Sequence, residues 1–332
     1  MIKDVIKQEF QNLDSFLPVF GLNMLDIQAD IFKKFIELLN SLPNQEGRLI
    51  YSDSIKKIIG KFEEKLIEEI TSGKYSDNYN QIIKNISNLE EIRKEVSAFV
   101  NPKDKLKVFK ANTSDLKKGF INSLSSTLGS KETFMINVST PLKTILYEYS
   151  ALGLPIKEAT KRLYNIAIGE NPNGGILASY SGQVAHDALF GLTGSVDKAI
   201  GVYIGANDVN YLGNIIIDSR PQCIRWVDKF NGFIPADKLK SEIAWAKANG
   251  KGYSKHLPTL SVDTFARVRG GHRCRHRVVY SKGKASKEVE EIEKQYRIQD
   301  EALQSQIYKD LDPKTKAIYD KNKKTLDKQL NR

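Results

Sequence analysis

The residues best suited to chemistry lie in one stretch of this 332-residue chain. Cys223 and Cys274 are its two cysteines, and His256, His272 and His276 are three of its four histidines. In the run HRCRH, His272, Cys274 and His276 alternate, and in an extended chain alternate side chains share a face. Arg273, Arg275 and Arg277 then line the opposite face. Zinc takes four tetrahedral ligands drawn largely from Cys and His. Cys223, Cys274, His276 and His272 make such a set, with Asp218 or His256 as substitutes for one member. The spacing is not that of a zinc finger, because Cys223 stands alone and no CxxC or HxxxH pair is present. Two other states use the same residues. One is a pair of buried free thiols beside histidines bonded to loop backbone; the other is a Cys223–Cys274 disulfide, which needs an oxidising compartment.

Charge concentrates in the same place. From Arg220 to Lys284 there are 15 Lys and Arg against 4 Asp and Glu, a surplus of +11 that equals the formal charge of the whole chain. Guanidinium forks suit phosphate or carboxylate, so Arg220, Arg273, Arg275 and Arg277 are candidates for contact with DNA or with an acidic partner. The competing role is local, pairing with Asp218 and Asp228 to hold a turn. A nuclease using His272 or His276 as acid or base beside arginines is conceivable chemistry. The sequence has no Walker loop, GxSxG, HExxH or dinucleotide-binding glycine turn.

The elements that must position these residues read as mainly helical. Residues 1–112 form an N-terminal helical region, in which Ile27, Ile31, Phe32, Phe35, Ile36 and Leu39 recur at helical spacing. Ile55, Ile58, Ile59, Phe62, Leu66 and Ile70 do the same. Gly73 and Asn101-Pro102 read as breaks. A second helical block covers 113–204, with Pro141 and Pro155 near helix starts, where a missing N–H is harmless. Gly191 and Gly194 read as punctuation between two short helices, the first of which holds His186 as a structural residue. Residues 205–284 form a small, basic α+β module carrying the Cys/His set. Tyr211–Ile217 and Val278–Tyr280 read as strands and Ile243–Ala248 as a helical turn. Residues 285–332 are charge-dense with apolar residues at helical spacing, and read as a helical tail.

Bulk properties set the class. An apolar fraction of 40% and a charged fraction of 27% are ordinary for a globular protein. No run approaches the roughly 18 apolar residues of a membrane span, so no membrane partner is expected. The amphipathic start MIKDVIKQEF carries both signs of charge and is neither a signal nor a transit peptide, which points to synthesis and retention in the cytoplasm.

Five short pieces stand in a fixed order between Tyr180 and His276. The pieces are Tyr180-Ser-Gly-Gln183-Val-Ala-His-Asp187-Ala188, then Tyr211-Leu-Gly213, then Asp218-Ser-Arg220-Pro-Gln-Cys223. Asn231-Gly232 follows, and Gly270-Gly271-His-Arg-Cys274-Arg275-His276 completes the set. In this order they resemble bacteriophage minor head proteins, the Mu F-like head-morphogenesis family, over residues 175–284. The resemblance implies a virion protein of low copy number at the head or portal vertex, made in the host cytoplasm and acting in head assembly or DNA packaging. Its partners would be the portal protein or the major capsid protein and, through the basic module, packaged DNA. It implies no enzyme activity. Alternatives of another class are a sequence-tolerant DNA-binding module and a nuclease or toxin-like enzyme delivered with the particle.

Overall fold

The computed structural model describes residues 2–10, 12–13, 16–50, 52–169, 175–213, 215, 219–253, 258–271, 274, 276–285, 287 and 291. They form a mainly helical protein with a small antiparallel α+β region around the two cysteines. The expected helical tail over 285–332 falls almost entirely outside the described residues. Among those described, no helix is long and apolar enough to cross a membrane.

In chain order the first elements are α1 (Ile2–Phe10), α2 (Phe16–Ser41), the short strands β1 (Asn44–Gln45) and β2 (Arg48–Leu49), α3 (Asp53–Ser72) and α4 (Lys74–Val100). Next come α5 (Lys105–Lys110), α6 (Ser114–Thr127), α7 (Lys131–Phe134), α8 (Thr140–Ala151), α9 (Ile156–Tyr164) and α10 (Ile176–Ile204). The last are β3 (Asp208–Leu212), α11 (Pro221–Ile224), β4 (Phe233–Ile234), α12 (Ala236–Asn249), α13 (Phe265–Val268) and β5 (Arg277–Ser281). The chain packs as two compact units, each assembled from separated stretches. Of the described residues, one takes Met1–Phe16, Ile83–Asn122 and those from His186 onward; the other takes Leu17–Ile82 and Ser123–Ala185. The blocks read from the sequence, 1–112, 113–204, 205–284 and 285–332, are each contiguous in the chain, whereas neither unit is.

The unit that holds α2 and α3, helical apart from the short β1–β2 pair, follows its apolar stripes. Ile27, Ile31, Phe35 and Leu39 of α2 are buried, as are Ile55, Ile59, Phe62 and Leu66 of α3. The rings of Phe35 and Phe62 meet edge-on with centroids 4.1 Å apart, an arrangement that aromatic quadrupoles favour. Gly73 separates α3 from α4, and Pro141 and Pro155 stand at the starts of α8 and α9.

The other unit is built on a three-stranded sheet with order β4-β3-β5, antiparallel throughout. Its register pairs Tyr211 with Val278, Leu212 with Arg277 and Val209 with Tyr280. Because side chains alternate along a strand, Leu212 and Val279 share one face. There they pack in a cluster with Val5 of α1 and Ile92, Val96 and Val100 of α4. The opposite face carries Tyr211, Val278 and Tyr280, and β5 is buried along its whole length. The first strand of the module is Asp208–Leu212, with Val209 to Leu212 all buried; it meets the expected run Tyr211–Ile217 at Tyr211 and Leu212, and Asn214, Ile216 and Ile217 of that run lie outside the described residues. The turn expected at Ile243–Ala248 is the second half of the 14-residue α12.

The largest correction concerns α10, a continuous helix of 29 residues and not two short ones. Gly191 and Gly194 are places of close approach. A Cβ on Gly194 would lie 2.3 Å from the Ala266 carbonyl oxygen, and one on Gly191 would lie 2.9 Å from the Phe120 ring. A Cβ on Gly201 would meet Tyr280 Cβ at 2.5 Å. Missing side chains along one helix let α13 and β5 pack directly on its backbone.

One buried charge cluster joins the pieces of this unit. Arg93 of α4 is fully enclosed, and its guanidinium donates to Glu9 of α1, to both carboxylate oxygens of Asp197 in α10 and to the Val278 carbonyl of β5. Glu9 also lies 3.3 Å from Arg277 Nε. Burial pushes the Asp197 carboxyl up to about 7, against the pull of Arg93; the ion pair therefore works against a large desolvation term. Nearby, Glu90 accepts from Thr113 and forms ion pairs with Lys117 at 2.9 Å and Lys94 at 3.2 Å. Burial acts to raise its pKa, but these three partners together hold it down at about 2.

Two outcomes follow for stability. Arg93→Met leaves two carboxylates buried without their shared cation and should lower unfolding free energy by about 3–5 kcal/mol. Adding Glu9→Gln and Asp197→Asn to that variant should restore part of the loss in a urea titration. Glu90, with a folded pKa below its unfolded value, contributes stability that is fully present above about pH 4.3. That contribution is lost as pH falls toward 2, the folded pKa of Glu90. Glu90→Gln should flatten the acid limb of the stability profile over that window, and an unchanged limb would remove Glu90 from the account of acid unfolding.

Candidate metal centre

The first ligand candidate arrives on a helix start. Arg220-Pro221 is extended then helical, Pro221 occupying the first turn of α11, so that Cys223 points inward and is 3% exposed. Its neighbour Gln222 is fully buried and ties the loops down. Its Nε2 donates to the carbonyls of Lys251 (2.6 Å) and Gly270 (2.7 Å), while its Oε1 accepts from the Lys251 N–H. The second candidate arrives through a tight turn, Val268–Gly271, closed by a Gly271 N–H to Val268 carbonyl bond of 2.9 Å. Its first central residue is Arg269, at φ 48° and ψ −128°. Glycine normally fills that position of such a turn, and a side chain held there stores about 1–3 kcal/mol of strain. The Cys274 N–H then bonds the Gly271 carbonyl at 3.1 Å, and β5 begins at Arg277.

These paths converge on the hydroxyl of Tyr211 in β3. It lies 3.3 Å from Cys223 Sγ and 3.3 Å from Cys274 Sγ. Cys274 Sγ lies 3.6 Å from His276 Nδ1. The ligand atoms of Cys223, Cys274 and His276 all fall within 4.8 Å of one another, and all three residues are buried. They could hold a metal ion. The Tyr211 ring is fixed by stacking on His276 (4.7 Å, 18°) and by the edge of Trp226 at 5.1 Å. Gly270 makes room for the group: a Cβ there would lie 2.2 Å from Cys223 Sγ and 3.0 Å from both Cys274 Sγ and the Tyr211 hydroxyl.

The electrostatics divide the two sulfurs. For Cys274 burial favours the neutral thiol, but hydrogen bonds from the Cys223 thiol and His276, with the charge of Arg269, outweigh it and hold its pKa well below the ordinary thiol range. Cys223 is pushed up, first by its hydrogen bond to Cys274 and then by burial. A divalent metal would favour both as thiolates. Both cysteines are free, with no disulfide joining them.

The other sequence candidates fall elsewhere. Arg277, expected on a contact surface, is buried and ion-paired with Glu9, because its place in β5 points it toward the enclosed face that holds Arg93. Arg220 donates from Nη1 to the Gly270 carbonyl at 3.1 Å, so it braces the turn that carries Cys274. His186 is buried, stacked on Phe190 and 3.4 Å from Asp187, in the structural role expected of it. His272, Arg273, Arg275, His256 and Asp218 lie outside the described residues. Tyr211, Gly270 and Arg269 are the participants that sequence reasoning missed. The adjacent glycines of GGHRC were the available signal for a crowded turn; Tyr211 was marked by its strand and its resemblance piece, but not as a neighbour of the sulfurs.

Compared with protein-family models, with characterised proteins and with solved structures, the chain matches none.

Gly270→Ala tests the packing directly. Forcing a methyl group against two sulfurs and a hydroxyl should lower stability by about 1–3 kcal/mol in a denaturant titration. Gly182, where an added Cβ meets nothing within 4 Å, is the control position, with the turn's crowding absent. Equal effects at the two sites would mean that the sulfurs are not tightly enclosed.

Proposed function

We propose that this chain is a minor head protein of a phage virion, seated at the head or portal vertex and acting in head assembly or DNA packaging. In this reading a zinc ion closes its α+β module through Cys223, Cys274 and His276. One observation carries the proposal: four of the five pieces of the family resemblance meet around a single buried cluster. Tyr211 supplies the hydroxyl between the sulfurs, and Cys223 and Cys274 supply the sulfurs. The Gly232 carbonyl accepts from the Tyr211 N–H at 2.7 Å, Arg220 holds Gly270, and His276 closes the group. Pieces that lie far apart in sequence and share one structural task are what a module-defining motif should look like.

The donor set supports a structural zinc ion over a catalytic one. Catalytic zinc sites keep a position open for water and substrate, whereas structural sites are closed by protein. Cys223, Cys274 and His276 are each under 5% exposed, which favours the closed kind. The module also has a small sheet and many loops, the situation in which metal binding supplies folding free energy. An interaction role then falls to surfaces. With Arg277 enclosed, exposed basic side chains of the module such as Lys238, Lys240 and Lys247 of α12 would meet an acidic face of a portal or capsid subunit, or packaged DNA.

Two measurements test the proposal. Quantitative mass spectrometry of purified particles should find this chain at a low, fixed ratio to the major capsid protein, retained after high-salt washing; absence from particles would overturn the virion assignment. Metal analysis of the purified chain should find about one zinc per chain, with Cys274→Ser abolishing it. Metal-free protein whose melting temperature ignores added zinc would sink the zinc centre.

A further inference from the structure

Among the described residues, the three Cys and His ligands leave a tetrahedral ion one donor short. We infer that the Tyr211 hydroxyl is the fourth donor, giving a centre of two thiolates, one imidazole and one phenolate; the inference rests on the zinc reading above. Distances on the page carry it. With zinc–sulfur bonds near 2.3 Å and zinc–nitrogen or zinc–oxygen bonds near 2.0–2.1 Å, tetrahedral corners are separated by about 3.6 Å for sulfur to nitrogen and about 3.5 Å for sulfur to oxygen. The structure has 3.6 Å from Cys274 Sγ to His276 Nδ1 and 3.3 Å from the Tyr211 hydroxyl to each sulfur. Three edges of the coordination polyhedron are thus in place to within a few tenths of an ångström.

Tyr211 is also held where a ligand must be held. It sits in the central strand, paired with Val278 in β5, with its N–H on the Gly232 carbonyl. Its ring is clamped between His276 and the aromatic edges of Trp226, and it is 1% exposed. A donor fixed by packing needs little reorganisation when the ion arrives. Burial raises the pKa of its phenol, which a bound dication would reverse.

Charge closes as well. Two thiolates and a phenolate around a dication leave one net negative charge. Arg269 is buried, and its guanidinium lies over the Phe190 ring at 4.6 Å and donates to the Phe190 carbonyl at 3.4 Å, not to a carboxylate. A buried cation of that kind is expensive without an anion nearby, and the strained backbone at Arg269 keeps it beside the turn that carries Cys274. A monoanionic metal centre adds to the anionic groups already acting on it, the Cys274 sulfur and Asp197.

The test compares the full chain with Tyr211→Phe, which keeps the ring and loses only the hydroxyl. Zinc is added to apo protein. The ultraviolet difference spectrum reports ionised tyrosine, and calorimetry in two buffers of different ionisation enthalpy counts the protons released to the buffer. The wild-type chain should show a tyrosinate band on zinc addition and release one proton more than Tyr211→Phe. Its affinity should exceed that of the variant by about 10-fold or more, since even partners outside the ligand shell are worth that much. Zinc binding without a tyrosinate band, or with equal proton counts, would overturn Tyr211 as a donor and leave the three-ligand centre standing. Failure of the wild-type chain to take up zinc would overturn both. Should Tyr211→Phe not fold, the wild-type spectrum alone decides, because a bystander phenol does not ionise when zinc binds.

Discussion

The enclosed guanidinium of Arg93 is the joint on which the sheet-bearing unit depends. A buried charge with no partner costs several kcal/mol, so α1 must bring Glu9, α10 must bring Asp197 and β5 must offer the Val278 carbonyl. That last bond locates β5 along α4. Val278 is paired with Tyr211 across the sheet, so locating β5 also locates the Tyr211 hydroxyl. His276 and Cys274 lie immediately before β5 and inherit the same placement. The cluster of sulfur, imidazole and phenol is in this sense downstream of an ion pair formed with the chain's first helix.

Close approach is the second constraint, and glycines meet it at both levels. Along α10, Gly194 and Gly201 admit the backbone of α13 and the flank of β5. At the cluster, Gly270 leaves space for two sulfurs and a hydroxyl, while its carbonyl accepts from Arg220 and Gln222. The neighbouring Arg269 takes a backbone conformation that glycine would adopt without strain. Strain accepted at one residue is worth noting when that residue places a buried cation beside the chemistry.

Much of this was legible in the chain, and what was not has a common cause. The stripes of α2 and α3, the breaks at Gly73 and Asn101-Pro102, the strand at Val278–Tyr280 and the grouping of Cys223, Cys274 and His276 are local signals or simple periodicities. The continuity of α10 was hidden because a glycine read locally is a break, whereas here it answers to α13 and β5, far along the chain. Arg277 looked like a surface contact because its partner Glu9 lies at the other end of the sequence. The first strand begins at Asp208, ahead of the expected Tyr211, because its pairing with β5 runs back to Asp208 opposite Ser281, a long-range match that local β-propensity does not reveal. Tyr211 escaped notice as a possible donor because phenols are unusual zinc ligands, and only its position between two sulfurs singles it out.

The centre itself is the claim most exposed to direct measurement. X-ray absorption at the zinc edge, on the full chain purified with zinc, reads the donor atoms around the metal. A centre of Cys223, Cys274, His276 and one further light donor requires two sulfurs at about 2.3 Å and two nitrogen or oxygen atoms at about 2.0–2.1 Å. A shell of nitrogen and oxygen alone would place the metal elsewhere on the protein and contradict the assignment of Cys223 and Cys274 as its ligands.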